Sequence, residues 1–414
     1  MRISAGGLRR TFQALGTRNY RLFFTGQVVS VTGTWMQKVA QDWLILQLGG
    51  GPLALSVGVA LQQVPTLLLG MWGGLLVDRG NARRLLLASQ VALATLALTL
   101  GVLASTGLAN LPVVYAMALA VGCLNVVETP ARQAFVVDMV GPAQAANAVS
   151  LNSSINNSAK LVGPAIAGVL IALVGVGVAF LVNAASFVAI VIALLRMDPD
   201  RLHLRAPVPR GRGQVVEGLR YAWTQPMIRA PLEATLLISM LSQNWRVILP
   251  PLAVRVFGGG PSSYGLLLSA LGLGALFGAL LCAYLARPTL GLMEVEAVVL
   301  GLLMVSAALA PTYVALVAII VAVGASNTSF NTTSNAFVLL GASPGMRGRI
   351  MSLRTLVSNG STPIGSVIVG WVCQAASPRV GMGLGGVVAV IAAGLMLRTR
   401  GRRPVAEPGP EVSR

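Results

Sequence analysis

Runs of about 20 apolar residues recur along almost the whole chain, each long enough to cross a ~30 Å hydrocarbon core as a helix. In lipid the backbone N–H and C=O groups must be satisfied within the segment, so such runs are helices rather than loops or open strands. Composition agrees: 55% of the 414 residues are hydrophobic and 10% are charged. A water-soluble protein of this length has too little interior to hide that much apolar surface. Twelve spans are expected, near 20–47, 55–76, 84–105, 111–130, 146–173, 177–195, 229–256, 263–285, 291–309, 312–338, 351–374 and 380–397. The first run is too long for a signal peptide and has no small-residue cleavage site, so it reads as a permanent helix.

The chain also repeats itself. At one constant offset Ala120, Val121, Gly122 and Asn125 meet Ala322, Val323, Gly324 and Asn327. Further along, Phe135 meets Phe337, Pro142 meets Pro344, Asn157 meets Asn359, and Gly163 and Gly168 meet Gly365 and Gly370. Repetition at half the chain length is a mark of secondary transporters. Both copies carry their charged connections on the same side, so the halves are parallel and each holds an even number of helices, which six satisfies. The expected organisation is a six-helix half over 1–195, a linker over 196–228, a second six-helix half over 229–397 and a tail over 398–414.

The formal net charge of +18 would suit nucleic acid if it were spread over one face. It follows alternate connections instead. One set holds the arginines from Arg2 to Arg21, then Arg79, Arg83 and Arg84, then Arg132, the arginines from Arg196 to Arg229, Arg287, Arg347, Arg349 and Arg354, and those from Arg398 onward. The other holds only Arg255 and Arg379. Arginine retained in the cytoplasm accounts for this pattern. It puts both termini and the 196–228 linker on the cytoplasmic side of a bacterial inner membrane, and it removes the case for a nucleic-acid partner. Cys123, Cys282 and Cys373 fall within apolar spans and read as small packing residues. His203 is the single histidine. With no Walker loop and no metal-ligand cluster, neither an ATPase, an enzyme, a cofactor nor a metal site is expected.

The loop after the second span reads Gly74-Leu75-Leu76-Val77-Asp78-Arg79-Gly80-Asn81-Ala82-Arg83-Arg84. It resembles the signature loop of the major facilitator superfamily, with Asn81 at the second glycine, where asparagine tolerates a left-handed turn. The fifth span carries Gly163-Pro164 and Gly168, which resemble the glycine–proline motif of that superfamily's exporters. Asn19-Tyr20-Arg21-Leu22-Phe23-Phe24, Pro130-Ala131-Arg132-Gln133-Ala134-Phe135 and Arg347-Gly348-Arg349-Ile350-Met351-Ser352 are similar to the branch of enterobactin exporters and macrolide-type efflux proteins. The resemblance implies a twelve-helix fold, a central cavity, alternating access and proton-coupled export. It also implies a conformational latch at Gly74, Asp78, Arg79 and Arg83, with Asp78 meeting the eleventh helix near Gly348. Arg79 or Arg83 can pair with Glu128 or Asp138 on the same side.

Ionisable groups inside spans cost several kcal/mol unless paired or hydrated, so they are functional suspects. Lys38 and Asp42 lie four apart on one face of the first span. Internal alignment sets Arg246 of the seventh span opposite Lys38, and Lys160 sits near the middle of the fifth. Asp42 is the first proton-coupling candidate and Glu128 the second, with Lys38, Arg246 and Lys160 as charge partners. A static Lys38–Asp42 pair is the structural alternative. Amides at helical spacing face protein or a water-filled cavity rather than lipid; Gln62, Asn125, Asn156, Asn244, Asn327 and Asn331 are the cavity candidates, with helix-to-helix bonding the competing role. The expected activity is proton-driven export of an amphipathic small molecule, such as a siderophore or drug, by a monomer in lipid. The alternatives are an importer of a small organic solute and a transport-silent receptor or anchor.

Overall fold

The computed structural model describes residues 12–203, 214–285, 288–343 and 345–400. Every regular element among them is helical. The first group is α1 (Arg18–Gln47), α2 (Pro52–Arg79), α3 (Ala82–Ser105), α4 (Leu111–Val140), α5 (Ala145–Val174) and α6 (Val176–Leu195). A short helix, α7 (Gln214–Thr224), precedes the second group. That group holds α8 (Pro226–Leu237), α9 (Trp245–Pro251), α10 (Pro261–Leu285), α11 (Leu290–Ala308), α12 (Tyr313–Gly341), α13 (Arg347–Gly360), α14 (Thr362–Ala375) and α15 (Pro378–Arg400). Ten of the helical stretches, with α13 and α14 taken together, are long and apolar enough to cross a membrane. The Arg205 region of the linker and the tail beyond residue 400 lie outside the described residues, as does Arg287.

Local chemistry sets the helix ends. Asn81, Asn110, Thr289 and Thr312 each accept a backbone N–H three residues ahead, satisfying one of the orphan donors of a helix start. Asn81 is therefore an N-cap with φ −83° and ψ 109°; the left-handed turn expected there does not form. Gly141 and Gly175 end α4 and α5 at φ +73° and +89°, where a side chain would strain the backbone.

Three spans depart from their expected outlines, each at or near proline. The fourth span was expected to stop at Pro130, but α4 continues to Val140 with Pro130 inside it. Pro130 offers no N–H to the Val126 carbonyl, and that oxygen lies against Gly73 of α2, where a side chain would collide with it. The seventh span is not one helix. It runs through α8 into a π-turn at Ile238–Ser242, loses helical form at Gln243 and Asn244, restarts as α9, and ends in a second π-turn at Leu252–Val256. Pro250 and Pro251 lie inside α9. The eleventh span divides at Ser361, two residues before Pro363.

Packing differs between the two ends of the molecule. At the arginine-poor end, one apolar cluster joins both groups of helices: Val39, Ile45, Leu55 and Ile171 belong with Ile248, Tyr264 and Leu267. At the arginine-rich end the first group has its own cluster, with Tyr20, Phe23, Leu86, Phe135 and Ile190. The second group has another, with Ile228, Leu232, Val338 and Ile350. Backbone contacts follow the same division. Gly168 of α5 faces Gly265 and the Pro261 carbonyl of α10, while Gly370 of α14 faces Ser56 and the Pro52 carbonyl of α2. Side chains such as Leu68, Met71, Trp72, Leu173 and Leu280 are exposed on the outside of the bundle, as lipid-facing positions require. Cys123 is exposed too, rather than packed as expected, and Cys373 is buried.

Such glycines make a direct prediction. A Cβ on Gly265 would lie 2.9 Å from the Gly168 Cα, whereas one on Gly260 meets nothing within 4 Å. Gly265→Ala should lower stability by about 1–3 kcal/mol through overpacking, with Gly260→Ala near neutral. Equal denaturation midpoints for the two purified variants would show that this close approach is absent in solution.

Candidate functional site

The charges singled out in the sequence assemble where the two groups of helices close. Asp42, near the arginine-poor end of α1, is fully buried, and its carboxylate takes two bonds from one guanidinium. Arg246 Nη2 donates to Asp42 Oδ1 at 2.7 Å, and Arg246 Nε donates to Oδ2 at 2.9 Å. Tyr264 of α10 donates its hydroxyl to the same Oδ2 at 2.7 Å. Arg246 Nη1 donates to Gln62 Oε1 of α2 at 2.9 Å, and Gln62 Nε2 donates to Gln41 Oε1 at 2.8 Å. Five side chains from four helices thus share one hydrogen-bonded patch. The break at Gln243 and Asn244 makes it possible, because Arg246 stands in the first turn of the restarted helix α9.

Of the two basic partners within reach of Asp42, Arg246 takes it, and the static Lys38–Asp42 pair of the structural alternative does not form. Both carboxylate oxygens are already taken by Arg246 and Tyr264, and the planar guanidinium suits a two-point contact better than an ammonium does. Lys38 instead holds its Nζ 4.0 Å from the centre of the Trp35 ring, and Lys160 approaches the same ring at 5.8 Å. Glu128 lies apart, just past the middle of α4. It pairs with Arg132 at 3.0 Å, accepts from Gln90 of α3 at 3.3 Å and from Thr129 at 3.3 Å.

On the arginine-rich side of this patch lies a cavity of about 440 Å³ between the helix groups. Asn327, Asn331 and Asn335 of α12 line it, with Asn157, Lys160 and Arg354 among the facing residues. Other amide candidates fall elsewhere. Gln62 belongs to the ion-pair patch. Asn156 turns back to the Asn152 carbonyl at 3.0 Å, while its neighbour Asn157 takes the cavity position. Asn244 is buried and bonds the Met240 carbonyl at 2.7 Å, bridging the break in its own span. Asn125 is half-buried on α4.

Asp78 and Arg79 are exposed at the end of α2, and Gly74 is half-buried one turn before Asp78. Arg83 does not pair with Glu128. It donates to the carbonyls of Leu194 at 2.6 Å and Leu195 at 3.4 Å, closing the last turn of α6, where orphan carbonyls attract a cation. Gly163 lets α5 approach the Thr32 carbonyl and Trp35 of α1, and Pro164 and Gly168 sit against Gly265. The glycine–proline motif is therefore a packing seam for two neighbours of α5.

Some of these residues escaped the sequence reading. Tyr264 gave no signal, since an isolated tyrosine in an apolar run is ordinary. Arg354 resembled a topology charge because Arg347 and Arg349 precede it. Glu296, buried on α11, went unremarked; its Oε1 accepts from Ser329 and from Thr333, the latter at 3.0 Å. Those hydroxyls lie two residues beyond Asn327 and Asn331 and so on the other side of α12.

A sequence model of the transmembrane secretion effector family, within the major facilitator superfamily, matches residues 10–409. The chain belongs to this family. The staphyloferrin A transporter of Staphylococcus aureus is 24% identical, over 84% of this chain and 88% of its own length. The multidrug efflux pump Tap of Mycolicibacterium fortuitum is 27% identical, over 83% of this chain and 86% of its own. Among solved structures, a bacterial homologue of the human lysosomal transporter Spinster, in an inward-facing and unoccupied conformation, superposes with TM-score 0.74 at 15% identity, covering 92% of this chain and 96% of that one. A POT family transporter superposes with TM-score 0.75 at 12% identity, covering 93% and 96%. These likenesses give the chain the major facilitator fold, that of a multi-pass membrane protein.

The buried pair has a thermodynamic signature. Asp42→Leu alone strands the Arg246 charge and should cost about 3–5 kcal/mol. Asp42→Leu with Arg246→Met should recover most of that loss, because an apolar pair of similar volume replaces a buried ion pair at little net cost. Denaturant titration of the purified variants checks this, and additive losses would mean that the two side chains do not face each other in solution.

Proposed function

We propose that the protein is a secondary exporter that moves an amphipathic small molecule, of siderophore or drug type, out of a bacterial cell in exchange for protons. Twelve spans carry it: the ten apolar helical stretches, α1, and the broken span from α8 to Val256. They divide into halves at 1–195 and 229–397, joined by the 196–228 linker. Both termini are cytoplasmic, the 398–414 tail included, as the arginine asymmetry supports. The cavity then faces the cytoplasm, and the Asp42–Arg246 patch is the closed outer gate of a monomeric transporter.

One observation carries the reading: Asp42 and Arg246 lie on opposite halves. Rocking of the halves that opens the outer side must separate them. Asp42 then loses its cation and its Tyr264 donor together, and an unpaired buried carboxylate is unstable unless hydrated or protonated. It takes a proton from outside. When the halves return, Arg246 re-forms the pair, and the proton leaves toward the cytoplasmic cavity. Proton and guanidinium compete for one carboxylate, and this competition ties proton entry to each return stroke. Glu128, already paired with Arg132, is the second candidate for the same task. Cargo binds among Asn327, Asn331 and their neighbours. Gly74, Asp78 and Arg79 serve as the inner latch, with Asp78 meeting the start of α13 once the cytoplasmic side closes; Arg83 fixes the adjoining α6 end. The relatives named for staphyloferrin A and for multidrug efflux support the cargo class and the outward direction.

Two outcomes test this. In proteoliposomes Asp42→Asn should abolish accumulation driven by a pH gradient while leaving cargo binding and downhill flux measurable, and Arg246→Met should damage coupling more than Lys38→Met. Uphill transport by Asp42→Asn with only a pH gradient supplied would sink the coupling role. Asp78→Asn should reach normal abundance yet transport several-fold more slowly; normal flux would remove the latch.

A further inference from the structure

The hydrogen bonds left unmade in the cavity describe what belongs there. Lys160 stands near the middle of α5, where a bare ammonium costs several kcal/mol unless hydrated or paired, and it lines the cavity. It is more than a third exposed there. Arg354 reaches the cavity from α13, gives Nη2 to the Asn331 carbonyl at 2.9 Å, and leaves its buried Nε with no acceptor. Gln243, freed from helical geometry by the break in its span, leaves a buried Nε2 with no acceptor. Lys38 adds another cation beside Trp35, the ring it shares with Lys160.

Every one of these groups is a donor, and no acid lines the cavity. The nearby acids are occupied: Asp42 by Arg246, Glu128 by Arg132. Among the described residues, Lys38, Lys160 and Arg354 form no close ion pair with a carboxylate. The ion-pair patch is neutral, so its charges cancel, and the cavity keeps an uncompensated positive field. Walls of low dielectric strengthen that field. Asn157, Asn327, Asn331 and Asn335 add amides that can donate to or accept from neutral oxygens.

We propose that the cavity is a binding site for polyanionic, oxygen-rich molecules bearing two or more carboxylates or equivalent oxyanions. One anionic group is received by Arg354 and Gln243, and another by Lys160 with Lys38 behind it. Neutral hydroxyl or carbonyl groups of the cargo meet the asparagines of α12. A bound polyanion supplies acceptors to the Arg354 Nε and the Gln243 Nε2 and neutralises charges that the protein itself leaves unbalanced. A cationic drug supplies neither and is repelled by the same field. The assignment rests on the export reading only for calling the ligand a cargo. Binding is tested without flux, so a failure here leaves proton-coupled export standing, and the reverse holds as well.

The test uses the full-length protein purified in a neutral detergent, with citrate as the tricarboxylate probe, inorganic phosphate as the single oxyanion and tetraphenylphosphonium as the lipophilic cation. Trp35, beside both lysines, reports binding through its fluorescence, and the Trp35→Phe variant identifies its share of the signal. Citrate should saturate, bind more tightly than phosphate, and weaken as salt is raised. Arg354→Gln and Lys160→Gln should each weaken citrate about tenfold, the size of one charge-assisted hydrogen bond, while their melting midpoints stay near that of the parent. Arg354→Lys should recover part of the loss. Should a variant fail to fold, the salt dependence and the citrate-to-cation preference of the parent still decide the matter. No saturable citrate response, saturation by tetraphenylphosphonium in its place, or citrate affinity unchanged in both folded variants would overturn the proposal.

Discussion

The contact on which the rest depends is the two-point bond from Arg246 to Asp42. It spans 204 positions of sequence and joins α1 to the restarted seventh span. Burial makes it exacting rather than strongly stabilising, because taking both ions from water nearly offsets their attraction. Its value lies in being intolerant of partial separation. Tyr264, Gln62 and Gln41 complete the patch, so α2 and α10 are registered against the same pair. The glycine seams at Gly168–Gly265 and Gly370–Ser56 bring the backbones close enough for those side chains to meet. Below them the apolar core divides into two, and the space between is the cavity.

Two kinds of polar group therefore serve opposite ends of one interface. At the closed end the polar atoms are mutually satisfied and sum to no net charge. In the cavity the groups left wanting, Arg354 Nε and Gln243 Nε2, are donors. A bundle stabilised by apolar packing alone has no need for such a division, since isolated donors at this depth weaken it. Lys160 and Arg354 make sense as groups whose partners arrive and leave.

Much of this was legible in the sequence, for identifiable reasons. Apolar runs report helices because the bilayer leaves the backbone no other option, and the recurrence of Phe135 at Phe337 and Gly168 at Gly370 reports the doubling. Asp42 and Arg246 stood out because ions are rare in apolar spans, and internal alignment brought Arg246 opposite the right region of α1. Helical spacing offers Asp42 only Lys38, four residues away, and the internal repeat offers Arg246; spacing alone is blind to a guanidinium arriving from another helix and so does not choose between them. Tyr264 was illegible for the same reason. Arg354 was hidden among topology arginines, since where a helix begins decides whether an arginine marks the surface or reaches a cavity. Asn156 and Asn157 differ by one residue and about 100° around α5, finer than periodicity resolves. Asn81 shows the converse: one residue type serves a left-handed turn or an N-cap, and only the backbone decides between them.

The interruption at Gln243 and Asn244 carries a consequence for how the two ends of the interface know of each other. Gln243 belongs to the cavity, and Arg246, less than one helical turn later, belongs to the closed patch. The wide turns on either side of this short segment leave it held by side chains more than by a regular ladder of backbone bonds. A ligand that grips the Gln243 amide therefore pulls on the same few peptide units that aim the guanidinium. If the cavity and the outer gate work as proposed, occupancy and closure meet in the four residues from Gln243 to Arg246, and no signal has to cross the bundle.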